Sequence, residues 1–389
     1  MKRIILILFL GSSFLVAKES AQEYAKQQMQ EFKQYKANLE KEFQAYQTAQ
    51  MKEFKEYKKS LSKYWDDPKM SSQKNWLLYT NDKKTRSDVD FKNEEITIET
   101  VATSKKKAEQ NLQIALAKAV TLNTKTIQQI DPLERKLAKI KKPALMVTQK
   151  IKARPVLSIV VFKKPPTKQS VQNYINRYIT PKNIKTKKSD KVADARVYKV
   201  TIKLPKNTTI RLSKQYLNEV RKEANRQALP LALIFAIMHS ESSFNPRARS
   251  YVPAYGLMQI VPKTAGVDAY QYLYDERRLV SSSYLYNSNN NIQMGAAYLH
   301  ILYYRYLRKV KNPTSRLYCT IAAYNTGAGN IAYAFTKKYN MNNAAPIINR
   351  MTPEEIYNKL ENDLRFDEAK HYLVKVSKRM DTYSKIYGN

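Results

Sequence analysis

The chain has 389 residues, enough for two or three domains that each bury a core, and this excludes a single small domain. Its 43% hydrophobic content is that of a folded protein, while 69 Lys+Arg against 33 Asp+Glu leave a net charge of +36, which favours an anionic polymer or surface as neighbour. With only 7 Gly, and 29 Tyr against 11 Phe, the chain reads as helix-rich; its single cysteine, Cys319, excludes any intramolecular disulfide.

Met1-Lys2-Arg3 precede an uncharged stretch from Ile4 to Ala17, followed by Lys18-Glu19-Ser20. Such a stretch is short for a bilayer span, so the expectation is a secretory signal over residues 1–17, with an uncleaved anchor as the alternative. The expected location is the periplasm, either soluble or membrane-associated, and export argues against nucleic acid as the partner of the positive charge. Lys18 stands where a lipoprotein would carry its acylated cysteine, so no lipid anchor is expected.

Residues 18–64 repeat with a period of eleven. Tyr24, Tyr35, Tyr46 and Tyr57 share one phase, Phe32, Phe43 and Phe54 a second, and Leu39, Gln50 and Leu61 a third. Eleven residues in three turns stay close to the natural helical twist, which predicts one long amphipathic helix with a nearly straight aromatic stripe. Packing on the protein's own next domain, self-association as a coiled coil, and attachment to a membrane or wall surface all remain open for it.

Residues 65–206 read as a small, Lys-rich α+β domain. Val89, Phe91, Ile96, Ile98 and Val101 nearly alternate around Lys92-Asn93-Glu94, a hairpin signal. Leu112, Leu116, Ala119 and Val120 predict a helix from about Ser104 to Thr121. "VLSIVVF" (156–162) and "ARVYKVTIKL" (195–204) both read as strands, with a basic helical piece between them.

Residues 207–389 are helical throughout. Ser213 is a plausible N-cap, Pro230 suits the start of a helix over 231–240, and further helices are predicted over 292–307, 313–325, 330–339, 353–360 and 366–386. Five of the seven glycines, Gly256, Gly266, Gly295, Gly327 and Gly329, fall here, as expected around a binding cleft. The fold class is therefore mainly α: a long N-terminal helix, a small α+β middle domain and a C-terminal all-α domain.

Glu241 follows the apolar run Leu231 to Met238 and opens onto the polar "SSFNP" loop. A carboxyl at such a boundary is expected to have a raised pKa, because desolvation penalises its charged form, and a general acid near neutral pH needs that. The bland alternative is a helix-ending Glu paired with Arg247 or Arg249. The next acidic residue is Asp268, whereas glycoside cleavage ordinarily uses two carboxylates; substrate-assisted attack by a neighbouring N-acetyl group removes that need. His239 and His300 lack any metal-ligand spacing, so no metal or other cofactor is expected, and Cys319 reads as a buried inert thiol.

"ESSFNPRARS", "AYGLMQIVPKTAG" and "TIAAYNTGAGN", in that order, resemble the lytic transglycosylases with a goose-type lysozyme fold, and "YWDDPKMSSQKNWLLYTNDKKTRSDVDF" with "NPTSRLY" is similar to the membrane-bound lytic murein transglycosylase C family. The resemblance implies a lysozyme-like C-terminal domain that cleaves peptidoglycan between N-acetylmuramic acid and N-acetylglucosamine, leaving 1,6-anhydro ends and remodelling the wall. It implies Glu241 as the single acid/base. Ser250 and Gln259 would hold the sugar, Ser250 by a hydroxyl near the carboxyl, with Gly256, Leu257 and Met258 forming the turn that presents Gln259. Tyr324, its hydroxyl aimed toward the acid, and Asn325 come from the "AYN" block, and Tyr372 matches a tyrosine near the end of these domains. A hydrolytic muramidase and a non-catalytic wall-binding scaffold are the alternatives; a nucleic-acid-binding protein rests on charge alone.

Overall fold

A computed structural model describes residues 30, 38, 40–251 and 253–388. The expected signal over residues 1–17 and the positions Tyr24, Phe32, Tyr35 and Leu39 of the eleven-residue repeat lie outside the described residues. Residues 1–55 with 136–145 form one unit, and Glu56–Arg135 with Met146–Asn389 form the other.

Helix α1 covers residues 40–61. Phe43, Tyr46, Gln50, Tyr57 and Leu61 are buried along it at the spacing that a helical stripe requires. In the first unit, Lys136 pairs with Glu53 and the Ala144 N–H donates to Glu42. In the second, the end of α1 packs on the middle sheet: the Tyr57 ring meets Tyr79 edge-on at 6.3 Å, and the Trp65 indole donates to the Lys83 carbonyl at 2.7 Å.

That sheet is antiparallel throughout, in the order β1-β2-β3-β6-β5, with β1 Asn75–Tyr79, β2 Thr85–Asp90, β3 Glu95–Ala102, β5 Lys185–Lys188 and β6 Arg196–Lys203. Asp90 pairs with Glu95, which places the predicted hairpin turn at residues 91–94; Glu94 takes a left-handed φ of 54° there. One sheet face, with Trp76, Leu78, Val89, Ile96, Ile98 and Val200, belongs to the hydrophobic core together with Leu112, Ala115 and Leu116 of helix α2 (Lys105–Thr121), whose N-cap is Ser104. The opposite face buries an ion pair, Arg86 to Glu99 at 2.7 Å, with the Arg86 guanidinium stacked 4.1 Å from the Trp65 ring centre.

Helices α3 (Thr124–Ile130), α4 (Pro132–Ala138), α5 (Ser158–Val161) and α6 (Lys168–Tyr178) complete the middle region. The α5 segment corrects the strand expected over 156–162. Val156, Leu157 and Val160 are all buried, and a short apolar run enclosed on every side carries no periodicity to separate strand from helix. Arg211 donates to the carbonyls of Val160 and Phe162, satisfying groups that a sheet partner would otherwise take.

Two short parallel strands, β4 (Met146–Val147) and β7 (Leu279–Val280), join the middle region to the C-terminal helices. Those helices are α7 (Thr208–Lys214), α8 (Leu217–Gln227), α9 (Leu231–Ser242), α10 (Val267–Tyr274), α11 (Ser282–Leu285), α12 (Ser288–His300), α13 (Pro313–Thr326), α14 (Ala328–Thr336), α15 (Met341–Ile348), α16 (Pro353–Asp363) and α17 (Asp367–Tyr387). Ser213 is not an N-cap: it lies inside α7, and its hydroxyl shares a 2.6 Å hydrogen bond with the Tyr387 hydroxyl. Helix α9 is apolar all round and nearly every residue in it is buried, as a central helix must be, and α17 packs along it. Among the described residues no helix is long and apolar enough to cross a membrane.

Candidate active site

Glu241 sits in the last turn of α9, which ends at Ser243 in a left-handed conformation (φ 51°). Ser242 secures the exit: its hydroxyl donates to the carbonyls of Met238 and Leu257 and accepts the Phe244 N–H. From α17, the Tyr372 hydroxyl donates to Glu241 Oε1 at 2.7 Å. Part of Glu241 reaches solvent, yet protein surrounds the carboxyl densely. Burial raises its pKa to about 7, against the pull of the Tyr372 hydroxyl and the Lys74 and Lys375 ammoniums, with Glu368 adding to the rise.

The second wall is the turn from Tyr255 to Ile260. Gly256 has a φ of 77°, and a Cβ there would collide with the Asn291 side chain and the Leu285 carbonyl, so no other residue fits. Asn291, fully buried on α12, clamps the turn by accepting the Met258 N–H at 2.8 Å and donating to the Tyr255 and Leu285 carbonyls. Gln259 takes a left-handed φ of 49°; its amide donates to the Gly256 carbonyl, and its Oε1 is buried without a protein partner. Gly295 lies under the Met258 side chain, where a Cβ would collide with it.

The Tyr324 hydroxyl differs from expectation. It donates to the Met258 carbonyl at 2.8 Å, because the turn leaves that carbonyl within its reach, and the hydroxyl on the acid is that of Tyr372. Burial, with the charge of Glu241 adding to it, holds the Tyr324 phenol well above the ordinary range. Neither arginine pairs with Glu241: Arg247 forms a 3.0 Å ion pair with Glu134, and the Arg249 guanidinium lies over the Tyr255 ring.

Residues 218–346 match the family described as Transglycosylase SLT domain, and residues 40–215 match Membrane-bound lytic murein transglycosylase C, N-terminal domain. The membrane-bound lytic murein transglycosylase C of Serratia proteamaculans (strain 568) is 34% identical over 317 residues, 81% of this chain and 83% of that protein. Its namesake from Mannheimia succiniciproducens is 33% identical over 317 residues, again 81% and 83%. This chain belongs to the membrane-bound lytic murein transglycosylase C family. It is a lytic transglycosylase. A solved structure of an inactive mutant of the lytic transglycosylase Slt from Pseudomonas aeruginosa aligns with 46% of this chain and 25% of that one, at 26% identity and a TM-score of 0.36.

The remaining residues of the transglycosylase singled out from its sequence have their own partners. The Ser250 hydroxyl accepts the Ala254 N–H at 2.9 Å, which braces its own loop. Asn325, at the end of α13, lines an open cavity with Asn330, Arg365, Phe366 and Glu368. Asp268, the next acidic residue in sequence, accepts from the Tyr306 hydroxyl instead; the carboxylate that reaches the field of Glu241 is Glu368, on the first turn of α17. His239 shares a 3.1 Å hydrogen bond with the Tyr383 hydroxyl, and burial with nearby cations lowers its pKa to about 3. Cys319 is buried, and its thiol is pushed up to about 12.

Sequence reasoning missed Asn291 and Lys74. Lys74 lies inside the "YWDDPKMSSQKNWLLY" stretch that carries the resemblance but was given no role there, and Asn291 in "NSNNNIQMG" stands near the start of a helix, four residues before Gly295.

Proposed function

We propose that this transglycosylase acts on peptidoglycan, cleaving the bond between N-acetylmuramic acid and N-acetylglucosamine without water and leaving 1,6-anhydro ends, in remodelling of the cell wall from the periplasmic side. The observation that carries the reading is the Glu241 carboxyl, bonded by Tyr372 at 2.7 Å and held near neutrality by burial, with no second carboxylate hydrogen-bonded to it among the described residues. One group with a pKa near the working pH serves twice: it gives its proton to the leaving glycosidic oxygen, then as carboxylate takes the proton of the muramoyl C6 hydroxyl as that oxygen closes on the anomeric carbon.

In this reading Gln259, with its spare buried oxygen, and Ser250 hold the sugar beside the acid, and Met258 shapes the turn between them. Tyr324 fixes that turn through the Met258 carbonyl, Tyr372 orients the carboxyl, and Asn325 lines an open cavity together with Glu368, whose charge Glu241 feels. The basic surface suits an anionic wall polymer. A hydrolytic muramidase has one observation in its favour: a second carboxylate, Glu368, lies within the field of Glu241.

Mass spectrometry of soluble products from purified sacculi separates the two. Transglycosylation yields anhydro-muramoyl ends, whereas products with only reducing ends would establish hydrolysis. Glu241→Gln is expected to lower product release by roughly three orders of magnitude while still binding sacculi. Undiminished release would remove Glu241 from the mechanism.

A further inference from the structure

The segment that leads into β1 is bonded to the loop that follows α9. The Ser72 carbonyl accepts the Arg249 N–H at 3.3 Å, and the Gln73 carbonyl accepts the Asn245 side-chain amide at 3.2 Å. Between these, the Lys74 ammonium donates to the carbonyls of His239 and Ser240, the two residues before Glu241. Those carbonyls belong to the last turn of α9, where the helix presents its negative end; the His239 carbonyl also accepts the Ser243 N–H at 3.1 Å, and a cation is favoured at such an end. The Lys74 carbonyl in turn accepts the Phe91 N–H at 2.9 Å, which ties the residue to the sheet. Lys74 is thus held from both sides, by the sheet through its backbone and by α9 through its side chain.

We propose that Lys74, contributed by the middle region, is the charge partner and positioning residue of Glu241: it fixes the end of α9 and places a cation beside the carboxyl that the reaction leaves ionised. The inference rests on Glu241 being the acid/base.

The surroundings contain charges of both signs. Glu241 faces Tyr372, Lys375 and Glu368 of α17, Tyr324 of α13, and Lys74. Lys74 faces Glu241, Arg379 and Lys375 of α17, and Lys92 of the β2–β3 loop, and Arg379 itself is anchored to the Ser240 hydroxyl at 2.8 Å. Burial lowers the Lys74 pKa to about 7, the Glu241 carboxylate opposing the fall and the Arg379, Lys375 and Lys92 cations adding to it, so the Lys74 charge is present most fully below neutrality. The attraction is mutual. Lys74 favours the ionised carboxyl that exists between proton donation and proton recovery, which counters the burial that favours the protonated acid. The middle domain therefore takes part in the acid's chemistry as well as in folding.

The test is the pH profile of product release from purified sacculi by the full chain. Activity that needs protonated Glu241 falls on an alkaline limb at the pKa of that carboxyl. Lys74→Met, which removes the cation, is expected to move this limb upward by about one pH unit or more. Lys74→Arg, whose guanidinium stays charged through the whole range, is expected to hold the limb in place or move it slightly downward, and not to raise it. Lys74→Gln retains a neutral donor for the α9 carbonyls and serves if the Met variant does not fold; it is expected to shift the limb as Met does.

A limb unmoved in the neutral variants, with only a lower rate, means that Lys74 is merely a brace and overturns the proposal. A limb displaced equally in the Arg variant also overturns it. Full activity of Glu241→Gln would instead sink the reading beneath it, so the two failures are distinct.

Discussion

Two carboxyls among the described residues are pushed up to about 7 by burial, and they do different work. Asp131 lies between α3 and α4, where its Oδ1 accepts the backbone N–H groups of Leu133 at 2.8 Å and Glu134 at 3.2 Å, as a helix N-cap does. Glu241 accepts a single side-chain hydroxyl and retains a path to solvent beside a turn with a spare amide oxygen. Desolvation is the leading cause at both. A raised pKa alone therefore does not mark an acid catalyst; the donors that hold the carboxyl, and whether it faces a cleft, decide its use.

The two regions meet at Arg247. Its guanidinium pairs with Glu134, lies 3.8 Å from the Tyr286 ring centre and is almost wholly buried, and Asp131 lies in its field. The largest stability effect expected in the molecule follows. Arg247→Met leaves Glu134 and Asp131 buried without their cation, and about 3 kcal/mol or more of stability should be lost, read as a drop in the chemical-denaturation midpoint. A drop below about 1 kcal/mol would show that the network is solvated and that the contrast between the two carboxyl sites is overdrawn.

Asp131→Asn sharpens the comparison next. The folded carboxyl has its pKa raised above the ordinary 3.8, so it binds a proton that the unfolded chain has already released. Its contribution is present in full below the unfolded value and is lost as pH rises through the folded one, so stability should fall between about pH 4 and 7. Asparagine keeps the cap and does not ionise. Relative to the wild type, the variant should gain about 1–2 kcal/mol between pH 5 and pH 8, as followed by denaturant titration at each pH. A constant difference across that range would show that Asp131 is ionised in the folded state, with Arg247 as its counterion.

The outer parts of both regions were legible in the sequence. Ser104 and the Leu112/Leu116 spacing define α2, the Lys92-Asn93-Glu94 turn defines the β2–β3 hairpin, and Pro313 and Pro353 open the helices they were expected to open. Less visible were β1, "NWLLY", an unalternating run buried along nearly all its length, and β5, "KTKK", an exposed edge strand with no apolar residue. Glu241 was legible because an apolar helix ends on it. Of its surroundings, Tyr372 was named through the resemblance but not its bond to the carboxyl, and Lys74 was not named at all: they lie 131 and 167 residues away in sequence, and only packing of α17 and the β1 edge against α9 brings them to the end of that helix. The Tyr324 hydroxyl was misdirected for a related reason: sequence gives the residue but not which of two nearby acceptors it meets.

The smallest effect tests whether a second carboxylate takes part at all. Glu368 is exposed on the first turn of α17 and lines the cavity with Asn325, and its charge opposes ionisation of Glu241. Removing it by Glu368→Gln should favour the Glu241 carboxylate and move the alkaline limb of activity downward, opposite to the shift expected on neutralising Lys74. Solvent screens the exposed charge, so the displacement should be a few tenths of a pH unit and should vanish in high salt. The product ends should remain 1,6-anhydro, because a base that activates water has no part in closing the ring. Product release that collapses by a hundredfold or more, with reducing ends in the wild-type digest, would instead make Glu368 the water-activating base and the pair a hydrolase. The direction of the limb and the chemistry of the ends thus settle together whether Glu241 works alone.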